Sequence, residues 1–137
     1  MRSRGYIMPM TERRRIPPLS PFEEEIGFTR AIRVGDHIHV AGTVAVMPDG
    51  SVPPDAGAQA DQCFRQIIGH IEELGGRAED VVRVRMFVTD IADADAVSAA
   101  FSRALKCARP AGTLVAVAAL YRPEWKVEIE AEAVVGR

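Results

Sequence analysis

Cysteine is scarce here and follows no pattern. Cys63 and Cys107 are the only two in 137 residues, and their spacing fits neither a disulfide framework nor a zinc knuckle. A reducing, cytoplasmic setting is the expectation. Charge of one sign is also lacking: a formal net charge of −2 and a pI near 5.9 exert no pull toward nucleic acid or an anionic membrane. No apolar run approaches the roughly 20 residues that span a bilayer, and the basic N-terminus is not followed by an apolar signal core. A soluble, non-secreted chain without a membrane partner is expected. His37 and His39 share a strand face but have no evident third ligand, so no metal is expected. Gly75 and Gly76 close a helical pattern instead of opening one, so no phosphate-binding loop is expected, and no cofactor is implied.

What is present reads as one domain, long enough to bury about two thirds of its unfolded surface. Residues 1–20 stand apart. They carry Arg2, Arg4, Arg13, Arg14 and Arg15 with Pro9, Pro17 and Pro18, show no sustained periodicity, and are expected to form a flexible basic arm before a domain spanning 21–137. The arm's arginines are the one feature that could touch RNA.

Strands are predicted over Thr29 to Val34 and His37 to Ala41, joined by the turn pair Gly35-Asp36, with a further short strand over Thr43 to Met47. The period then changes. Ala60, Cys63, Phe64, Ile67, Ile68, Ile71 and Leu74 recur at helical spacing, with Asp55 as candidate N-cap and Gly75-Gly76 as the stop. Val82 to Val88 alternates as a strand. A second helix carries Val97, Phe101, Ala104 and Leu105 on its buried stripe, capped by Asp93 or Asp95 and broken at Pro110. Thr113 to Leu120 and Lys126 to Val135 close the chain as strands. The expected fold class is α+β, with a mainly antiparallel sheet of about six strands and two helices on one face.

Two helices leave the other face of such a sheet without cover. Thr113 to Leu120 is apolar at both parities, the pattern of a strand buried on both sides. A second copy of the chain is the simplest cover, so a homo-oligomer is expected.

The segments 109–115 (Arg-Pro-Ala-Gly-Thr-Leu-Val) and 123–131 (Pro-Glu-Trp-Lys-Val-Glu-Ile-Glu-Ala) resemble the C-terminal signature of the reactive-intermediate-deaminase (Rid, or YjgF) family. Pro21-Phe22, Ala41-Gly42-Thr43, the helix ending in Gly75-Gly76 and the strand from Val84 to Asp90 fall in the family's order, so the resemblance covers nearly everything after about Ser20. It implies a chorismate-mutase-like homotrimer with small-molecule clefts between subunits. It places Phe22, Gly42, Phe87, Gly112, Thr113 and Leu114 around the ligand and Glu128 at the water-orienting position of an enamine/imine hydrolase. The family's carboxylate-binding arginine falls at Gly112, where no guanidinium exists to form a bidentate pair. Its tyrosine becomes Phe22, a serine becomes Ala41 and a cysteine becomes Leu114. Arg109 and Arg122 lie on loops from which either could reach the vacated space. Taken by itself, Glu128 could equally be a cross-strand partner of Arg83 or Arg85. A catalytically silent ligand sensor or interaction protein on the same trimer is the alternative to an imine hydrolase, and RNA cleavage or translation inhibition is a more distant one.

Overall fold

The computed structural model describes residues 12–136. A six-stranded sheet runs in the order β1-β2-β3-β6-β4-β5, built from β1 (Arg13–Arg15), β2 (Ala31–Val34), β3 (His37–Thr43), β4 (Val81–Val88), β5 (Ala111–Ala116) and β6 (Val127–Val134). Every neighbouring pair is antiparallel except β4 with β5. That exception follows from connectivity: α3 (Ala94–Leu105) crosses over between β4 and β5, as a parallel pair requires. No helix among the described residues is long and apolar enough to cross a membrane.

The longest helix, α2 (Ala56–Glu73), begins where the Asp55 carboxylate accepts the Ala58 N–H at 2.8 Å. It ends where Gly75 takes the left-handed conformation at φ 88°, the positions that the turn chemistry of the sequence marks. Its buried stripe of Ala60, Cys63, Phe64, Ile67 and Ile71 packs over Val127, Ile129, Ala131 and Ala133 of β6 and Ile38 and Val40 of β3. α3 adds Val97, Ala100 and Leu105, and its Phe101 ring meets Phe64 edge-on with centroids 6.1 Å apart. Asp93 occupies the N-cap position of α3 without a side-chain cap bond. The capping carboxylate is that of Asp90, which accepts the Ala92 N–H at the start of the preceding 3-10 turn.

Alternation along β6 sends Glu128, Glu130 and Glu132 to the face opposite the buried residues. There Arg85 reaches Glu130 at 3.4 Å and Glu132 at 3.3 Å, and Arg83 donates to the Thr113 hydroxyl at 2.7 Å. This face is charged and, within one chain, uncovered.

Four expectations need correction. The chain has a third helix, α1 (Pro21–Ile26), with Pro21 in its first turn and the Glu23 carboxylate accepting the Ser20 N–H at 2.8 Å. Ser20-Pro21-Phe22-Glu23 is a start signal that was legible in the sequence. The segment 44–47 is not a strand. Gln62 donates to Val46 O, Gln66 donates to Val44 O and accepts from Val46 N, and the Trp125 indole donates to Ala45 O, so side chains take the bonds a sheet would have used. β5 stops at Ala116 as the sheet's outer strand, and in the single chain it is not buried on both sides, with Val115 exposed. Finally, the expected arm is shorter than 1–20. Residues 1–11 lie outside the described residues, but β1 pairs with β2 from Arg13↔Val34 to Arg15↔Ile32, and Ile16 is 4% exposed in the core.

Ile16 therefore anchors the edge of the fold. Ile16→Ala is expected to cost about 2–4 kcal/mol, read as a lower denaturation midpoint in urea. Equal midpoints for Ile16→Ala and the parent chain would contradict the docking of β1.

Candidate functional site

Between the end of β3, the start of β6, α2 and the segments on either side of α1 lies a cleft of about 550 Å³, the size range of small-metabolite sites. α1 and its flanks supply Phe22, Ile26, Phe28 and Arg30; the stretch after β3 supplies Val46; α2 supplies Gln66 and His70; the loop before β6 supplies Arg122 and Trp125; Glu128 comes from β6. Much of this wall is apolar and open to solvent, Phe22 being 54% and Tyr121 87% exposed.

Glu128 meets the cleft beside an irregular stretch of β3. The register of β3 on β6 shifts between Val40 and Thr43, so Ala41 and Gly42 form a bulge, a device that re-aims neighbouring side chains. A Cβ built at Gly42 would overlap the Glu128 carboxylate oxygen Oε2. Glycine is required there by close approach, not by backbone angle.

The carboxylate of Glu128 makes no hydrogen bond or ion pair with any described residue, whereas Arg85 is engaged by Glu130 and Glu132. Cross-strand pairing with Arg83 or Arg85 is thus not how Glu128 is used. Burial pushes its pKa above the ordinary carboxylate value and the charge of Glu130 pushes the same way, with Arg30 partly offsetting both. Burial, helped by the negative charge of Glu128, also holds the Cys63 thiol at about 12, so Cys63 remains a neutral packing residue whose sulfur donates to Thr43 O at 3.3 Å.

Arg30 is the functional candidate that sequence reasoning missed. Its guanidinium lies 5.0 Å over the Phe28 ring and 3.8 Å from the Glu23 carboxylate, and its Nε is buried without a hydrogen-bond partner. Glu23 itself is 3% exposed. Burial works to raise its pKa, but the N–H groups of Ser20 and Leu19, the charge of Arg30 and the Ser20 hydroxyl together bring it below the ordinary value. His70, on the last turn of α2, is pushed down by burial. An arginine in the stretch between a short helix and a strand gives no periodic signal, and only the tertiary fold brings it to the cleft.

Of the residues singled out from the sequence, the structure brings Phe22, Gly42 and Glu128 to this cleft, together with Arg122. Arg122 stacks 5.6 Å from the Trp125 ring centroid and lies 4.0 Å from Glu124. Phe87, Gly112, Thr113 and Leu114 are not part of it within one chain. Phe87 sits opposite Glu128 across the β4–β6 pair, the Thr113 hydroxyl accepts from Arg83, Leu114 packs against the core, and a Cβ at Gly112 would rest 3.8 Å from Phe101. For the three β5 residues the reason is topological, since β5 is separated from β6 by β4. Arg109 follows α3 with φ 46° and does not line the cleft. His39 lies 4.0 Å from Glu132 on the charged face.

Comparison with known proteins agrees with this architecture. The family described as Endoribonuclease L-PSP matches residues 20–135. An uncharacterized protein of Streptomyces coelicolor is 35% identical over 121 residues, 88% of this chain and 90% of its own length. The 2-iminobutanoate/2-iminopropanoate deaminase of Escherichia coli K12 is 34% identical over 111 residues, 78% of this chain and 86% of its own. The crystal structure of a YjgF/YER057c/UK114 family member from Mycobacterium tuberculosis matches with a TM-score of 0.83 at 35% identity, covering 90% of this chain and all (100%) of that one. With the family match spanning nearly all the described residues and the fold shared at this level, the chain belongs to the YjgF, or Rid, family.

Proposed function

We propose that the chain acts as a homotrimer whose inter-subunit clefts bind a small metabolite and hydrolyse an enamine- or imine-type substrate, with Glu128 positioning the water. The observation that carries this reading is the unspent carboxylate of Glu128. Of the glutamates on β6, Glu130 and Glu132 are engaged by Arg85 on the charged face, while Glu128 faces the cleft with its oxygens free of described partners. In the reaction, a water held by this carboxylate gives it a proton as the water oxygen attacks the C=N carbon. That proton passes to the nitrogen to give the tetrahedral adduct; the adduct's hydroxyl proton is then transferred through the carboxylate to the same nitrogen as the C–N bond breaks, so that ammonia leaves and a carbonyl compound remains. A carboxylate with a raised pKa is a stronger base for that step.

The trimer is supported by what one chain leaves open. The cleft's exposed apolar wall, the uncovered charged face of the sheet and the outer strand β5 are all surfaces that a second copy can cover. On this reading Gly112, Thr113 and Leu114 of a neighbouring subunit approach the cleft from its open side, which accounts for their absence from the site in a single chain. Sedimentation equilibrium at micromolar concentration is expected to return a trimer; a stable monomer would remove the second half of the site.

Two further outcomes are expected. The parent chain should hydrolyse 2-iminopropionate poorly, because the family's guanidinium position is Gly112, and Gly112→Arg should raise the rate. One charge-assisted bidentate contact made in the transition state is worth on the order of 2–4 kcal/mol, about thirty- to a thousandfold. The Gly112→Arg chain remaining inert as an intact trimer would favour a ligand-sensing role for this fold. The second outcome concerns Glu128. Glu128→Gln should abolish whatever turnover the parent or the Gly112→Arg chain has, while the trimer persists. Because the folded-state pKa is raised, the active, ionised form is lost as pH falls through a value above the ordinary 4.5 of a glutamate, so the acid limb of the rate profile should lie above that value. An acid limb at or below it would disconnect Glu128 from the rate.

A further inference from the structure

We infer that Arg30, on the stretch leading into β2, is the group that holds an anion in this cleft, and that the ligand is a small monocarboxylate with an aromatic or bulky apolar body. The inference rests on the cleft being the ligand site, as proposed above, and adds what the cleft selects.

The side-chain donors of Arg30 make no hydrogen bond with any described residue, and its Nε is shielded from water as well. A buried guanidinium nitrogen without a partner is costly to leave so, and the planar fork is matched to a carboxylate. Glu23 does not meet that demand. Its Oε2 is taken by the Leu19 N–H at 2.7 Å and the Ser20 N–H at 2.8 Å and stands 3.8 Å from the Arg30 Nε, beyond hydrogen-bond reach, and its Oε1, likewise buried, makes no hydrogen bond to the guanidinium. Glu23 therefore fixes the guanidinium by charge from behind, and stacking on Phe28 fixes it from the side, leaving the donors for something in the cleft.

Charge decides the ligand class. The other ionised groups facing the cleft are Glu128 and Arg122. Arg122 is exposed and already stacks on Trp125 beside Glu124, so it is the weaker anchor. One positive anchor sharing a cleft with the Glu128 carboxylate suits a single negative charge, since a phosphate dianion would add repulsion from Glu128. Phe22, Ile26, Phe28, Val46 and Trp125 offer apolar surface beyond what a three-carbon acid can use. An anchor on this wall instead of at residue 112 also changes which carbon of an acid comes to Glu128, so 2-iminopropionate and a longer aromatic substrate need not share an outcome.

The test uses the full chain and three probes, with affinity read by calorimetry: phenylpyruvate, its methyl ester and phenyl phosphate. The acid should bind at least about tenfold tighter than the ester. Arg30→Gln should erase that difference while retaining ester binding, which also shows the cleft intact; Arg30→Lys should restore only part of it, an ammonium having no fork. Arg122→Gln should preserve most of it. Acid and ester binding equally to the parent chain, or an acid preference that survives Arg30→Gln, would overturn the anchor while leaving the cleft reading in place. Loss of the preference in Arg122→Gln alone would assign the anchor to Arg122 instead. Phenyl phosphate binding more tightly than phenylpyruvate would overturn the monocarboxylate assignment, and no binding of acid or ester would count against the cleft itself.

Discussion

Three glutamines on one helix hold the walls of the cleft in place. Gln59 is fully buried, at 0% exposure, and spends its amide on the backbone: Nε2 donates to Pro53 O and Glu124 O, and Oε1 accepts the Lys126 N–H at 2.8 Å. Gln62 and Gln66 do the same for the segment from Val44 to Val46. A loop that packs on a core carries backbone groups that must find partners, and here one face of α2 provides them for two loops at once. The cleft follows from this arrangement. The 44–46 stretch cannot continue β3 as a strand, and the loop carrying Arg122 and Trp125 is tied to α2 just before it enters β6.

That tie also separates three glutamates that look alike in the sequence. Glu128, Glu130 and Glu132 alternate along β6 with identical spacing, yet Glu130 and Glu132 share Arg85 on the sheet's charged face, and Glu128 does not. The difference is made on the neighbouring strand. The bulge at Ala41-Gly42 lies across from Glu130 in the register, and within it Gly42 presents bare backbone to the Glu128 carboxylate, which lines the cleft. Burial is the largest cause of both its raised pKa and the elevated value of Cys63; the charge of Glu130 adds to the first and the charge of Glu128 to the second.

How far the sequence discloses this depends on which force governs each element. The long elements α2, α3, β4 and β6 were legible because burial of one face imposes a period of 3.6 or 2, and so was the α+β class. The segment 44–47 read as a strand because it is a short apolar run ahead of the turn at Pro48-Asp49-Gly50, and such a run cannot distinguish backbone partners on a strand from partners on glutamine side chains. Residues 13–16 read as a tail because three are arginine and Pro17 and Pro18 follow, although Ile16 is buried in the core and the arginines pair with β2. α1 was overlooked despite a clear start signal, since a helix of six residues is too short to develop a period. At the site, the family resemblance led to Phe22, Gly42 and Glu128. Arg30 escaped notice because two of its neighbours, His70 on α2 and Glu128 on β6, come from distant parts of the chain.

Arg30 and Glu128 together make the chemistry of the cleft reciprocal. Each is an ionised group whose hydrogen-bonding capacity goes unused among the described residues, and each acts on the other, Arg30 lowering the pKa that burial and Glu130 raise in Glu128. An anion drawn to the guanidinium would cancel part of that positive field at Glu128 and so raise its proton affinity further. Occupancy of the anchor and strength of the base are then linked, with the carboxylate at its most basic when ligand is present. Excluding water from the open apolar wall would strengthen the same coupling by lowering the local dielectric. A cleft covered by a neighbouring subunit would for that reason be a better site than the one a single chain presents.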